Sequence, residues 1–192
     1  MFIMVNYPIP NWSGFNVDEP LKIQEEIKLS ESLHITGRWL NHTGIEEYFP
    51  EELVITVRAS TPIAEICTVL AENDQVLPFY IDDKTQSIGA VYAIGAQDLS
   101  DSVLGVQIID GTGELLNFGG QVMKNVAGYD VARMLVGSRG QLAVVTQISF
   151  KVMPRQYVGE LKFRAKTVER SALREEVEKR LKTVFDPRGI FS

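Results

Sequence analysis

Residues 103–118 read VLGVQIIDGTGELLNF, and residues 142–152 read LAVVTQISFKV. The first stretch is two β-rich runs around Asp110-Gly111-Thr112-Gly113, a hairpin signal because glycine supplies the positive φ that tight turns require. The second is a further strand, stopped by Pro154. Working outward, residues 53–58 (LVITVR) alternate in the β-branched manner of another strand. Thr61 and Pro62 follow as N-cap and first helical residue, with Glu65 in the first turn. Ile63, Ile66, Val69 and Leu70 repeat at helical spacing until Asn73-Asp74, and Val76-Leu77-Pro78 is a short extended piece.

The flanks are plainer. Residues 17–33 place Leu21, Ile23, Ile27 and Leu29 among charges, with Pro20 beside acidic residues, which predicts a helix through Lys28. His34–Gly37 reads as a short strand and 158–164 (VGELKFR) as another. Residues 168–184 form a charged amphipathic helix with Leu173, Val177, Leu181 and Val184 on one stripe. Glu175/Lys179 and Glu176/Arg180 support it as i,i+4 pairs.

Composition narrows the function. The 192 residues suit one large domain, or one domain and a small lobe. A net charge of -6 argues against nucleic acid, whose phosphates need a basic stripe. One cysteine, Cys67, excludes an internal disulfide, and with two histidines leaves no zinc or iron–sulfur ligand set. The start, MFIMVNYPIP, lacks a basic region and a small-residue cleavage site, and no apolar run reaches membrane-spanning length. A cytoplasmic location is the expectation.

Between hairpin and last strong strand lies GGQVMKNVAGYDVARMLVGSRGQ, residues 119–141. Glycine-rich polar chain between strands exposes backbone N–H groups and lets a ligand approach, which suits a phosphate or a flavin edge. Glycine-rich loops are also simply turns. Residue patterns alone leave both readings open.

Beyond composition, the run Lys124-Asn125-Val126-Ala127-Gly128-Tyr129-Asp130 resembles a motif of the glycolate oxidase FAD-binding (E) subunit family, within the PCMH-type, or vanillyl-alcohol-oxidase-type, FAD superfamily. Gly137-Ser138-Arg139-Gly140-Gln141-Leu142 is similar to that family's Gly-Ser-x-Gly-Thr-Leu element. The segments 52–62, 77–79 and 110–114, and the tail Phe185–Phe191, fall in family order as well. The resemblance implies a fold of two α+β subdomains over 1–154, divided near 80–100, with FAD held between them. Residues 155–192 would be a remnant of the C-terminal region, a strand plus a helix. It implies FAD contacts near Thr85–Ala90 (Ser87, Ile88 and Gly89) for the pyrophosphate and ribityl portion. Lys124, Asn125, Gly128, Tyr129, Asp130, Gly137, Ser138, Gly140 and Leu142 would line the flavin or its adenine end. It also implies partners, a larger flavoprotein and an iron–sulfur subunit, and a small 2-hydroxy acid substrate.

Three departures from the pattern stand out. The place of the family's first glycine-rich loop reads TGRWLNHTG (36–44), where two isolated glycines and a bulky Trp39 make a poorer phosphate cradle and Arg38 offers charge instead. The second loop is shortened to 86–95, with Ser87-Ile88-Gly89 surviving. Residues 155–184 are too few for a substrate lobe. The alternative reading is therefore a non-catalytic assembly subunit that keeps the fold without flavin. His34 and His42 read either as a base or flavin anchor, or as strand or surface histidines without chemistry. Arg133 and Arg139 read as carboxylate ligands or surface ion-pair partners, and Trp12 and Trp39 as packing residues or stacking platforms.

Overall fold

The computed structural model describes residues 19–95, 98–120, 131–161 and 172–192. Helix α1 spans Glu19–Leu29, and strands β1 (Ile45–Phe49) and β2 (Val54–Arg58) precede helix α2 (Ile63–Ala71). A two-residue strand β3 (Gln75–Val76) leads to helix α3 (Ile88–Ile94). Strands β4 (Val103–Ile109) and β5 (Leu115–Gly119), the short helix α4 (Val131–Met134) and strands β6 (Val144–Lys151) and β7 (Met153–Pro154) follow, then helix α5 (Ala172–Phe185). The fold is α+β.

Five strands make one antiparallel sheet in the order β1-β2-β6-β4-β5, and β3 pairs with β7 apart from it. The sheet takes strands from both sides of the 80–100 segment. Its two faces follow the period-2 alternation of the strands. Ile55, Val57, Val106, Ile108, Ile148 and Phe150 turn to one side, where Ile63, Ile66 and Leu70 of α2 and Ile88, Val91 and Tyr92 of α3 close the core. Phe79 packs on Phe150 with ring centroids 5.7 Å apart. The other face is polar: the Thr56 and Ser149 hydroxyls lie 2.8 Å apart, and Gln107 donates to Asn117. Edge strand β1 carries Glu46 and Glu47 and an irregularity in its register between Ile45 and Glu47, features that blunt an edge against further pairing.

A second, smaller core ties the two ends of the chain together. Ile23 and Ile27, one turn apart on α1, pack with Leu33, Ile109, Val144, Ile190 and Phe191. Leu21 and Leu29 stay exposed, so α1 buries only this one stripe. The tail Phe185–Phe191 is a clasp. Asp186 receives the amides of Ile190 (2.9 Å) and Phe191 (3.0 Å) and the Lys182 ammonium (3.0 Å). Arg188 donates to the carbonyls of Ile27 and Ser30, and the Gly111 amide to the Phe185 carbonyl.

Several expectations are corrected. Residues 34–37 form no strand; Leu33 makes one parallel bridge to Phe191, after which the chain turns through Gly37 at φ +79°. Thr61 is not the N-cap of α2. That place falls to Pro62, because the Thr61 hydroxyl is engaged by the amide and carbonyl of Gly44. Residues 158–161 are not in a strand, and the remainder of 158–164 lies outside the described residues. Strand β1 and helix α3 were not anticipated.

Candidate functional site

Three loops meet at one cavity of about 180 Å³. Residues 35–40 with His42 form one wall, and Ala59 and Ser60 after β2 with Ser87, Gly89, Ala90 and Ala93 of α3 form the second. Ser138, Arg139, Gly140 and the start of β6 complete it. The chain reaches this arrangement by capping. Ser87 accepts the Ala90 amide at 3.3 Å to start α3, and Gly95, at φ +81°, ends it. Gly89 has no side chain because α3 lies against the strand end; a Cβ there would stand 2.7 Å from the Ala59 carbonyl oxygen.

Four of the expected site residues, Ser87, Gly89, Ser138 and Gly140, line this cavity together. Gly137 and Leu142 line a neighbouring groove of about 290 Å³ with Glu178, Lys179 and Lys182. The Ile88 and Leu142 side chains are buried in the main core. Lys124, Asn125, Gly128, Tyr129 and Asp130 lie outside the described residues, as does Trp12.

The backbone amides that flank the cavity are largely committed. Ile88 donates to Thr61 O (2.9 Å) and Gly89 to Ala59 O (2.7 Å). Gly137 donates to Tyr92 O (3.0 Å), Arg139 to Ala93 O (2.8 Å), and Ser138 and Gln141 to carbonyls of their own loop. These groups anchor α3 to the sheet and the 137–141 loop to α3. An amide with a good intramolecular acceptor is no longer a phosphate donor. Arg38 is likewise engaged, since its guanidinium pairs with Glu26 and its Nε donates to the His34 carbonyl. Glu26 also accepts the Trp39 indole N–H at 2.8 Å, so one α1 carboxylate fixes two cavity residues.

His42 is the residue the sequence reading undervalued. It is buried, 3% exposed, rather than on the surface. Its Nε2 meets the Thr146 carbonyl at 3.0 Å, so Nε2 carries the proton and Nδ1 holds a lone pair. Nδ1 has no hydrogen-bond partner, alone among buried side-chain nitrogens and oxygens of the described residues. Burial, and secondarily the positive Arg58 nearby, lower its pKa from the ordinary 6.5; the hydrogen bond with the Thr146 carbonyl, then Glu46 and Glu19, oppose this. A lowered native pKa means that unfolded chains bind the extra proton first. Stability from this residue is full above pH 6.5 and falls as the pH drops through the unfolded pKa toward the native one. The melting temperature followed downward from neutral pH should decline more steeply in the parent chain than in a His42→Phe variant.

No signal in the sequence separated His42 from His34, because burial at a loop is decided by distant strands. Helix α3 carried a signal that could have found it: Ser87 and Gly95 bracket Ile88, Val91 and Tyr92 at helical spacing. Among the described residues no group of His, Cys, Asp and Glu could hold a metal ion. No described helix is long and apolar enough to cross a membrane.

The cavity tests the fit of FAD. Drug-sized ligands occupy roughly 300–1,000 Å³, so about 180 Å³ takes one ring-sized part of a dinucleotide. Small residues (Gly89, Ala90, Ala93, Gly140) permit that approach. The diphosphate, in contrast, finds no free amide cradle at 88–89 or 137–139.

No family model matches the chain. It is 45% identical over 136 residues to glycolate oxidase subunit GlcE of Escherichia coli (strain K12), covering 63% of this chain and 38% of GlcE. The chain is similar to this part of GlcE. Shorter similarity joins it to glycolate oxidase subunit GlcD of Bacillus subtilis (strain 168), 40% identical over 55 residues, 29% of this chain and 12% of GlcD. A D-lactate dehydrogenase of Archaeoglobus fulgidus is 34% identical over 67 residues, 35% of this chain and 15% of that enzyme. The α+β architecture agrees with a PCMH-type FAD-binding domain. The chain spans well under half the length of each of these relatives.

Proposed function

We propose that this chain is an FAD-binding subunit, or FAD-binding portion, of a glycolate-oxidase-like 2-hydroxy acid oxidoreductase. One observation carries the reading: three segments implied by family resemblance, distant in sequence, converge on the single cavity bounded by 35–42, 87–93 and 138–145. Ser87, Gly89, Ser138 and Gly140 would hold part of the cofactor there by close packing, beside Arg139, which lines the same cavity. Bound FAD would supply the hydride-accepting chemistry, and the chain would bind it, orient it and exclude water. The substrate is a short 2-hydroxy acid, and the partners are a larger flavoprotein and an iron–sulfur subunit.

The FAD-linked and glycolate oxidase names of the relatives give no support to a flavin-free assembly subunit. The visible spectrum of the purified chain tests the reading. Flavin bands with FAD released on denaturation are the expected result. A colourless chain that takes up no added FAD, alone or with its co-purifying partners, overturns it.

A further inference from the structure

We infer that the outer edge of β5 pairs antiparallel with β5 of a second copy of this chain, joining two five-stranded sheets into one. The inference goes beyond the flavin reading and does not depend on it.

The β4–β5 ladder leaves one edge open. Asp110 donates to the Glu114 carbonyl (3.0 Å) and Gly120 to the Leu104 carbonyl (3.1 Å), at the two ends of the ladder. The register between them is unbroken, with Ile108 opposite Leu116 and Val106 opposite Phe118. Hydrogen-bonded pairs alternate along an antiparallel ladder, so Glu114, Leu116, Phe118 and Gly120 turn their backbone groups to β4. Leu115 and Asn117 turn theirs away, and among the described residues no backbone partner meets them. Such a row is a template for another strand unless charge, proline or a bulge blunts it. The two edges of this sheet differ in that respect. Strand β1 carries Glu46 and Glu47 and an irregular register, whereas β5 is Leu-Leu-Asn-Phe-Gly, without charge, proline or register shift.

The open edge is complementary to itself. With Leu116 opposite Leu116 of the second copy, Leu115 exchanges N–H and C=O with Asn117 of that copy, and Asn117 with Leu115. Four hydrogen bonds then form about one two-fold axis. Glu114 falls opposite Phe118 of the second copy, so like charges do not face each other. Leu116 and Phe118 pack against the main core and stay partly exposed, and each gains a neighbour from the second copy. A foreign strand would have to match this spacing, which a second copy carries by construction.

Sedimentation and amide hydrogen exchange of the chain over a range of concentrations, with and without added FAD, are the test. The mass should double with concentration, and the Leu115 and Asn117 amides should become protected over the same range. Leu115→Pro removes an outward N–H at the first position of β5, where proline is tolerated. Two of the four bonds go, so the dimer should weaken about a hundredfold, at about tenfold per bond. Leu115→Lys sets a charge on the edge and should also give monomer; it keeps the test alive if the proline variant does not fold. A chain that stays monomeric at millimolar concentration overturns the inference, as does a dimer in which these two amides exchange freely or that survives both substitutions. Protection already present in the monomer means that other residues of the chain cover the edge, and overturns it too. A chain that dimerises through β5 and takes up no FAD sinks only the flavin reading. A chain that takes up FAD as a monomer at every concentration sinks only this inference.

Discussion

Replacing Asp186 by alanine should destabilise the chain by about 3–5 kcal/mol, the range for breaking a buried charge pair by removing one partner. The Asp186 side chain is fully buried, and three donors converge on it: Lys182 Nζ at 3.0 Å and the amides of Ile190 and Phe191 at 2.9 and 3.0 Å. Alanine leaves both amides and the ammonium without this acceptor, although Lys182 keeps the Gln141 and Phe191 carbonyls. The loss spreads because Ile190 and Phe191 belong to the small core with α1, Leu33 and Val144. Urea unfolding should show a midpoint moved well below that of the parent. Asp186→Asn retains an acceptor oxygen and should lose less. If Asp186→Ala unfolds like the parent, the clasp is not what holds the two ends together.

Gly119→Ala is the second large effect, about 3 kcal/mol from left-handed strain of roughly 1–2 kcal/mol plus the cost of overpacking. Gly119 has φ +75°, and a Cβ there would collide with the Leu104 carbonyl oxygen and stand 2.9 Å from the Gly105 Cα. It pairs with Gly105 across β4 and β5, and a Cβ on Gly105 would in turn meet the Gly120 amide at 2.9 Å. The obstacle is backbone, which cannot rotate away as a side chain can. The prediction separates two reasons for a glycine. A glycine present only to admit a cofactor would lose ligand affinity on substitution and keep its unfolding midpoint. Gly119→Ala should instead lose stability with no cofactor present, measured by urea unfolding of flavin-free chain.

Much of the scaffold was legible because it rests on short-range patterns. The β4–β5 hairpin was readable from Asp110–Gly113, and its turn is organised by the Asp110 carboxylate, which accepts the Thr112 and Glu114 amides. Helix α2, strand β6 and most of α5 followed from periodicity. Helix α3 was missed because Gly89 and Gly95 suggested a loop, although the first is a packing contact and the second a C-terminal cap. Strand β1 (IEEYF) escaped because its charges mask the alternation, as they do on managed edge strands.

The cavity residues divide in the same way. Ser87, Gly89, Ser138 and Gly140 were named through family resemblance, whereas Ala59, Ala93 and His42 lie in segments the resemblance covers but are brought to the cavity only by the fold.

By itself, the order of residues determined the hairpin and the principal helices through local spacing, and, through its motifs, a similarity to glycolate oxidase subunits that implied the α+β class. Only the tertiary structure decided which amides were already spent and which cation was already paired. It also decided which histidine was buried with an idle nitrogen. Hydrogen-bond partners such as Gly89 and Ala59, or His42 and Thr146, lie 30 to 104 residues apart. Whether a donor is free for a ligand depends on what the fold brings beside it.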